Sequence, residues 1–125
     1  MRTIEYIENV VCAGENVDPD TLHTTSRERR FLEIRQLIMT LALEFNNTQE
    51  VAGAYFNKNH CTALNARRVI YALSDTDKLW NLKLRLYRNI IGSGKTYTAW
   101  EFEDRKARII GEAQQIIKDI EKIAI

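Results

Sequence analysis

Four consecutive side chains, Asn59, His60, Cys61 and Thr62, carry an amide, an imidazole, a thiol and a hydroxyl at a point where a helix should begin. Four hydrogen-bonding groups at one helix tip suit the reading of a patterned polar surface, and the edges of base pairs in a duplex groove are such a surface. The flanking residues agree. Residues 51–70 (VAGAYFNKNHCTALNARRVI) read as two short helices joined by a turn at Phe56 and Asn57, the layout of a helix-turn-helix, so double-stranded DNA is the first partner implied. The first of these helices is expected to be capped by Asn47, with Glu50 returning the bond and Val51, Ala54 and Tyr55 on its apolar side. The second is expected to be capped by Asn59, with Ala63, Leu64 and Ile70 facing inward.

Charge is distributed to match. The formal net charge is only +1, which is low for a protein that grips phosphates. Residues 1–25 hold Arg2 against five acids, whereas residues 26–95 hold twelve Lys and Arg against six Asp and Glu. The basic centre contains Arg27, Arg29, Arg30 and Arg35 before the turn motif, and Lys58, Arg67 and Arg68 within it. A solvated surface would also carry such charges, and only their spatial grouping separates the two explanations.

Catalysis has no comparable set. His23 and His60 are the only histidines, and His60 and Cys61, at adjacent helical positions, are expected to point in different directions. The run NIIGSGKT ends like a phosphate-binding loop, but Asn89 stands where the first glycine is required and the preceding residues suit an amphipathic helix, not a strand. The chain is therefore expected to bind no nucleotide, to need no metal or other cofactor, and to be no enzyme. Cys12 and Cys61 form no ligand or redox spacing and are expected as free thiols. No apolar stretch approaches the roughly 18 residues of a membrane span and no signal-like segment follows Met1, so a cytoplasmic protein without membrane contact is expected.

The elements that must position these residues are helical throughout. A first helix over residues 3–13 places Ile4, Ile7, Val10 and Val11 on one side and should stop at Gly14. Asp18 and Pro19 then mark a one-turn helix before a polar, arginine-bearing loop from His23 to Arg30. From Phe31 to Phe45 the set Ile34, Leu37, Ile38, Leu41, Ala42 and Phe45 predicts a long helix as the core spine. After the turn motif, Ser74 or Asp75 should cap a helix through Leu79, Leu82, Leu86 and Ile90, widened by Trp80, Leu84 and Tyr87 and stopped at residues 92–94. A final helix should carry Trp100, Ile109, Ile110, Ala113, Ile116, Ile117, Ile120 and Ile123 on one stripe, buried on its own domain or on a second copy in a homodimer. The organisation expected is a helix-turn-helix domain at residues 1–92 and a connector with an amphipathic helix at 93–125.

Residues 4–90 resemble the C-terminal DNA-binding domain of the bacterial chromosomal replication initiator DnaA. The likeness is carried by Arg35 and Gln36, Leu41 and Ala42, Val51 and Ala52, Tyr55, Lys58, and the run Asn59, His60, Cys61, Thr62, followed by Leu64, Ala66, Arg68 and Ile70. These match the family's Arg-Gln pair, its Ile-Gly-x-x-Phe run, a basic residue after the turn and Asp-His-Thr-Thr. The resemblance implies an all-α, TrpR-like helical bundle containing a helix-turn-helix, with an extra C-terminal helix beyond the family's domain. It also implies roles: Arg27, or Arg29 in its place, in the minor groove; Arg35, Gln36 and Lys58 on the phosphate backbone; Asn59, His60, Cys61 and Thr62 on major-groove base edges.

The departures from the family pattern are informative. Asn59 replaces an aspartate, exchanging a partner for cytosine N4 for one that pairs bidentately with adenine. Cys61 replaces a threonine and bonds more weakly, so some discrimination is expected to be lost there or taken over by Asn65. Thr25, Glu28 and Glu33 thin the basic loop, and the loop before Val51 is shorter than usual. No counterpart of the initiator's motor domain is expected within these residues. Sequence-preferring DNA binding in replication initiation or its regulation is the expected function, against the alternative of a protein-interaction adaptor that keeps the fold and has lost DNA contact.

Overall fold

The computed structural model describes residues 2–94 and, beyond them, residues 101, 104, 107, 108, 111, 114 and 115, all seven of these helical and exposed. Among the described residues the fold is all helical: α1 (Ile4–Glu15), α2 (Pro19–Leu22), α3 (Arg29–Glu44), α4 (Gln49–Ala54), α5 (His60–Thr76) and α6 (Lys78–Ser93). The expected stripe from Trp100 to Ile123, the connector beyond residue 94 and pairing with a second copy lie outside the described residues, and Ser93, the expected start of the connector, is the last residue of α6.

The spine is α3, as its periodicity predicts. Leu37, Ile38, Leu41 and Ala42 are fully buried, and α3 packs against α1, α2, α4 and α5. Its neighbours meet it with Ile7 and Val11 of α1 and Ala63, Ala66 and Ile70 of α5. Beyond them α6 closes the bundle on α1 and α5 with Leu84, Leu86, Tyr87, Ile90 and Ile91. Leu79 is exposed and Leu82 half-buried, so the buried face of α6 begins about a turn later than expected.

Several boundaries differ from expectation, each for a local reason. The first helix does not stop at Gly14. It runs to Glu15 and ends on Asn16 in the left-handed conformation (φ 56°), which lets the Val17 amide return to the Cys12 carbonyl at 3.0 Å. Gly14 instead is buried where α1 meets α6, and a Cβ there would collide with the Tyr87 ring and hydroxyl. The cap of α4 is Thr48, whose hydroxyl accepts from the Val51 amide at 3.2 Å, not Asn47. Asn46 takes φ 72° after α3 and the Asn47 amide closes back on the Ala42 carbonyl at 2.9 Å, so Asn47 belongs to the end of α3. Its side chain donates to the carbonyls of Arg2 (2.8 Å) and Ala42 (3.1 Å).

With the cap moved, Glu50 stands second in α4 and forms no capping box. Val51 and Ala54 face solvent, whereas Ala52 and Gly53, with Phe56 in the turn, face inward. At the other end of the motif, α5 runs past Ser74 and Asp75 to Thr76. Asp77 then serves both helices, its amide bonding the Leu73 carbonyl at 2.8 Å and its carboxylate capping α6 at the Leu79 amide (2.9 Å). Four successive residues that can cap, Ser74 to Asp77, leave the choice to packing. The predicted caps at Asp18 with Pro19 and at Asn59 are present, and of the expected stop at residues 92–94 the helix passes Gly92 and Ser93 and ends on Gly94 (φ 74°).

Candidate nucleic-acid interface

The turn between α4 and α5 is built from backbone. The amides of Phe56 (3.2 Å) and Lys58 (2.8 Å) both return to the Gly53 carbonyl, the Asn57 amide returns to that of Ala54 (3.0 Å), and Asn57 adopts φ 56°. A Cβ on Gly53 would run into the Asn59 carbonyl, so the absence of a side chain there lets α4 lie directly against the start of α5. Asn59, His60 and Cys61 emerge from this corner exposed to solvent.

The tip residues are not independent. Asn59 Oδ1 accepts from the Thr62 amide (3.0 Å) and from the Thr62 hydroxyl (3.3 Å). Its amide oxygen is thus committed to the cap, and the bidentate pairing with adenine expected of it would need that same oxygen. Asn59 is left with its Nδ2 hydrogens, which suit acceptors such as purine N7. Cys61 Sγ lies 3.5 Å from His60 Nε2, so the two adjacent side chains meet instead of pointing apart.

Beside the tip runs a groove of about 670 Å3 between the arginine loop, α3, the turn and α5. Six of the sequence-predicted residues line it: Arg27, Arg35, Gln36, Lys58, Thr62 and Asn65. Arg27 and Lys58 are exposed on its two sides, and Gln36 is half-buried in its wall. The other four, Arg29, Asn59, His60 and Cys61, do not line it. Arg29 projects from the start of α3 and pairs along the helix with Glu33 (3.0 Å), its side chain 87% exposed. Such an exposed pair is worth well under about 1 kcal/mol and leaves the guanidinium easily redirected.

Arg35 is placed differently from its expected phosphate contact. It is buried (8% exposed) and donates from Nε to the Leu22 carbonyl (2.7 Å), from Nη1 to that of Ser26 (3.0 Å) and from Nη2 to that of Thr24 (3.3 Å). The loop adds its own links, Thr24 Oγ1 to the Thr21 carbonyl (2.8 Å) and the Ser26 amide to Thr24 Oγ1 (3.3 Å). Arg30 anchors the loop's far end by donating to the Glu15 carbonyl at 2.6 Å.

Sequence reasoning missed Glu8. It is 5% exposed, and its carboxylate lies 2.6 Å from His23 Nε2 and accepts from the Tyr55 hydroxyl at 2.8 Å. The His23 ring stacks on Phe56 (5.1 Å between centroids) and meets Tyr55 edge-on (4.9 Å). One buried carboxylate therefore ties α1, the start of the arginine loop and the helix-turn-helix turn together, and burial with the Glu8 bond pushes the Tyr55 phenol well above its usual range. The signal was in the sequence: Glu8 falls between Ile4 and Val11 on the stripe that α1 buries. Away from the tip, Tyr71 of α5 and Arg88 of α6 both bond Glu44 of α3, Arg88 through two 2.7 Å contacts, and the Glu44 carboxylate also faces the Arg67 charge. Part of the central basic charge is thereby balanced on a face other than the groove.

Two helices, α4 and α5, joined by a tight turn, with an exposed polar tip on the second, define a helix-turn-helix domain. More narrowly, residues 4–70 match the family described as bacterial dnaA protein helix-turn-helix, and the chain belongs to that family. It is 30% identical over 100 residues to a chromosomal replication initiator protein DnaA of Bacteroides fragilis, covering 74% of this chain and 21% of that protein. It is 28% identical over 91 residues to the protein of the same name from Bacteroides thetaiotaomicron, covering 71% of this chain and 19% of that one. The chain thus spans about a fifth of the length of these relatives.

Proposed function

We propose that this protein binds double-stranded DNA with sequence preference, in replication initiation or its regulation, by binding alone and without nucleotide chemistry of its own. The observation that carries the reading is the exposed start of α5 standing beside a groove walled by Arg27, Gln36, Lys58 and Asn65. In this reading His60, Cys61, Thr62, Asn65 and the Asn59 amide nitrogen face major-groove base edges, while Lys58 and Gln36 meet phosphates. Arg27, backed by Arg29, enters the neighbouring minor groove, where a narrow A·T-rich segment attracts a guanidinium. Both relatives are named as chromosomal replication initiators, which supports the process assigned. The apolar stripe over residues 97–123 is proposed to pack on the domain or to pair two copies.

Selection from a randomised duplex pool, followed by titration of the selected site against salt, tests this. His60→Ala should weaken the selected site by about 1–3 kcal/mol and relax one or two base preferences. Lys58→Ala should weaken all duplexes alike and flatten the plot of log affinity against log salt by about 0.9. If no duplex is enriched and affinity is insensitive to salt, the chain is an adaptor on this fold and not a DNA reader.

A further inference from the structure

The geometry points to Arg35 as a positioning residue that sets the arginine loop in the shape from which Arg27 reaches DNA, an inference that rests on the DNA-binding reading above. A side chain whose main task was to hold phosphate would present its guanidinium to solvent. Arg35 is over nine-tenths buried, and its three nitrogens each reach a different carbonyl, that of Leu22 at the end of α2 and those of Thr24 and Ser26 in the loop. These are alternate residues, so one rigid planar fork gathers three carbonyls that would otherwise splay, and the loop curls around it. No carboxylate pairs with Arg35 among the described residues, so the carbonyl dipoles are what balance its charge. The loop has little else to hold it between its ends. His23 is fixed on Glu8 and Arg30 on the Glu15 carbonyl, and between them Arg35 is the only side chain from another element that bonds the loop backbone among the described residues. Arg27 follows Ser26 directly, stands exposed, and lines the same groove as Arg35.

Lysine cannot replace this fork, because a single ammonium does not span three separated carbonyls, although it keeps the charge. The two roles therefore separate. A phosphate contact would survive Arg35→Lys in large part and would be independent of Arg27, whereas a positioning role would be lost and would act only through Arg27.

The test is a double-mutant cycle of Arg35→Lys with Arg27→Ala on the selected duplex, joined to trypsin digestion of the free protein. Arg35→Lys should speed cleavage after Arg27 about tenfold with helical circular dichroism unchanged, and should weaken duplex binding about as much as Arg27→Ala does. The double variant should bind within twofold of Arg27→Ala alone. If instead the two losses multiply, or cleavage after Arg27 is unaltered, Arg35 does not position the loop. Should Arg35→Lys fail to fold, Thr24→Val, which removes the hydroxyl joining the Thr21 carbonyl of α2 to the Ser26 amide of the loop, gives the parallel comparison: it should cost affinity only while Arg27 is present. A wild-type protein that binds no duplex would refute the DNA reading, and the digestion would still decide whether Arg35 orders the loop.

Discussion

Asn59 caps α5 and, in the proposed docking on DNA, also reads a base, so the two demands fall on different atoms. Its Oδ1 holds the Thr62 amide and hydroxyl, while its Nδ2 remains for DNA. Asn59→Ala removes the cap from an exposed site, so no cavity term adds, and the cost should be about 1 kcal/mol. For a chain of this size that corresponds to a Tm lower by about 3–6 °C. Asn59→Asp keeps an oxygen for the cap and places a negative charge at the positive end of a 17-residue helix, which contributes about 0.3–1 kcal/mol. That variant should melt at or above the wild-type temperature. On DNA the same change exchanges a donor for an acceptor, so preference at the contacted base should move towards cytosine, whose N4 donates, by about 1–3 kcal/mol. Thermal melts followed by circular dichroism and duplex selection on the three proteins read both effects. An Asn59→Ala melt within about 1 °C of wild type would refute the cap energetics, because a lost cap must shift Tm by more than that. An Asn59→Asp protein as unstable as Asn59→Ala would show that the oxygen is not what holds the helix end.

Two further outcomes follow from burial and charge. Cys12 is 2% exposed, and burial, with the nearby Glu8 charge adding to it, pushes its thiol up to about 12, whereas Cys61 is exposed. A thiol reagent at pH 8 should therefore modify one cysteine of the native protein quickly and both only in denaturant, and the selected duplex should shield the fast one; equal native rates would contradict the placement of α1. Glu44 supplies a pH dependence. Burial alone would raise its carboxyl, but hydrogen bonds from Arg88 and Tyr71 and the Arg88 and Arg67 charges outweigh it and hold the group below its usual 4.5. Its stabilising effect is therefore complete above the unfolded value and lost as pH falls through the lower folded one. The stability lost in Glu44→Gln should be greatest near neutrality and shrink below about pH 4, as denaturant melts at several pH values would show; a loss independent of pH would contradict the ion pair.

The legible part of this fold lies where sequence constrains one local answer. Asp18 with Pro19 and Asn59 before a helix leave the backbone a single inexpensive conformation, and each cap formed where expected, while the stop expected over residues 92–94 fell on its last glycine. The α3 stripe was equally plain, because 16 residues repeat their apolar spacing often enough to fix a face. Where neighbouring residues competed, local preference could not decide. Asn46, Asn47 and Thr48 can all end or start a helix, and α4, six residues long, has too narrow a face for periodicity to locate. Gly14 looked like a stop because a glycine in isolation permits one. Its real role, making room for Tyr87 of a helix more than 70 residues away, is not a local property.

The sequence alone determined that the described residues form helices, that a helix-turn-helix is centred on the turn at Phe56 and Asn57, and that a polar tip begins its second helix, because caps, turns and spacing act over a few residues. Only the tertiary structure decided which charges work at the surface and which work inside. Arg27 and Arg35 look alike as basic residues eight positions apart, yet one lies open in the groove and the other is buried under three carbonyls. Glu8 became a central strut only when His23 and Tyr55 were brought to it from two other segments. Burial and hydrogen-bond partnership arise from residues distant in sequence, and no local spacing encodes which distant carbonyl or carboxylate a side chain will meet.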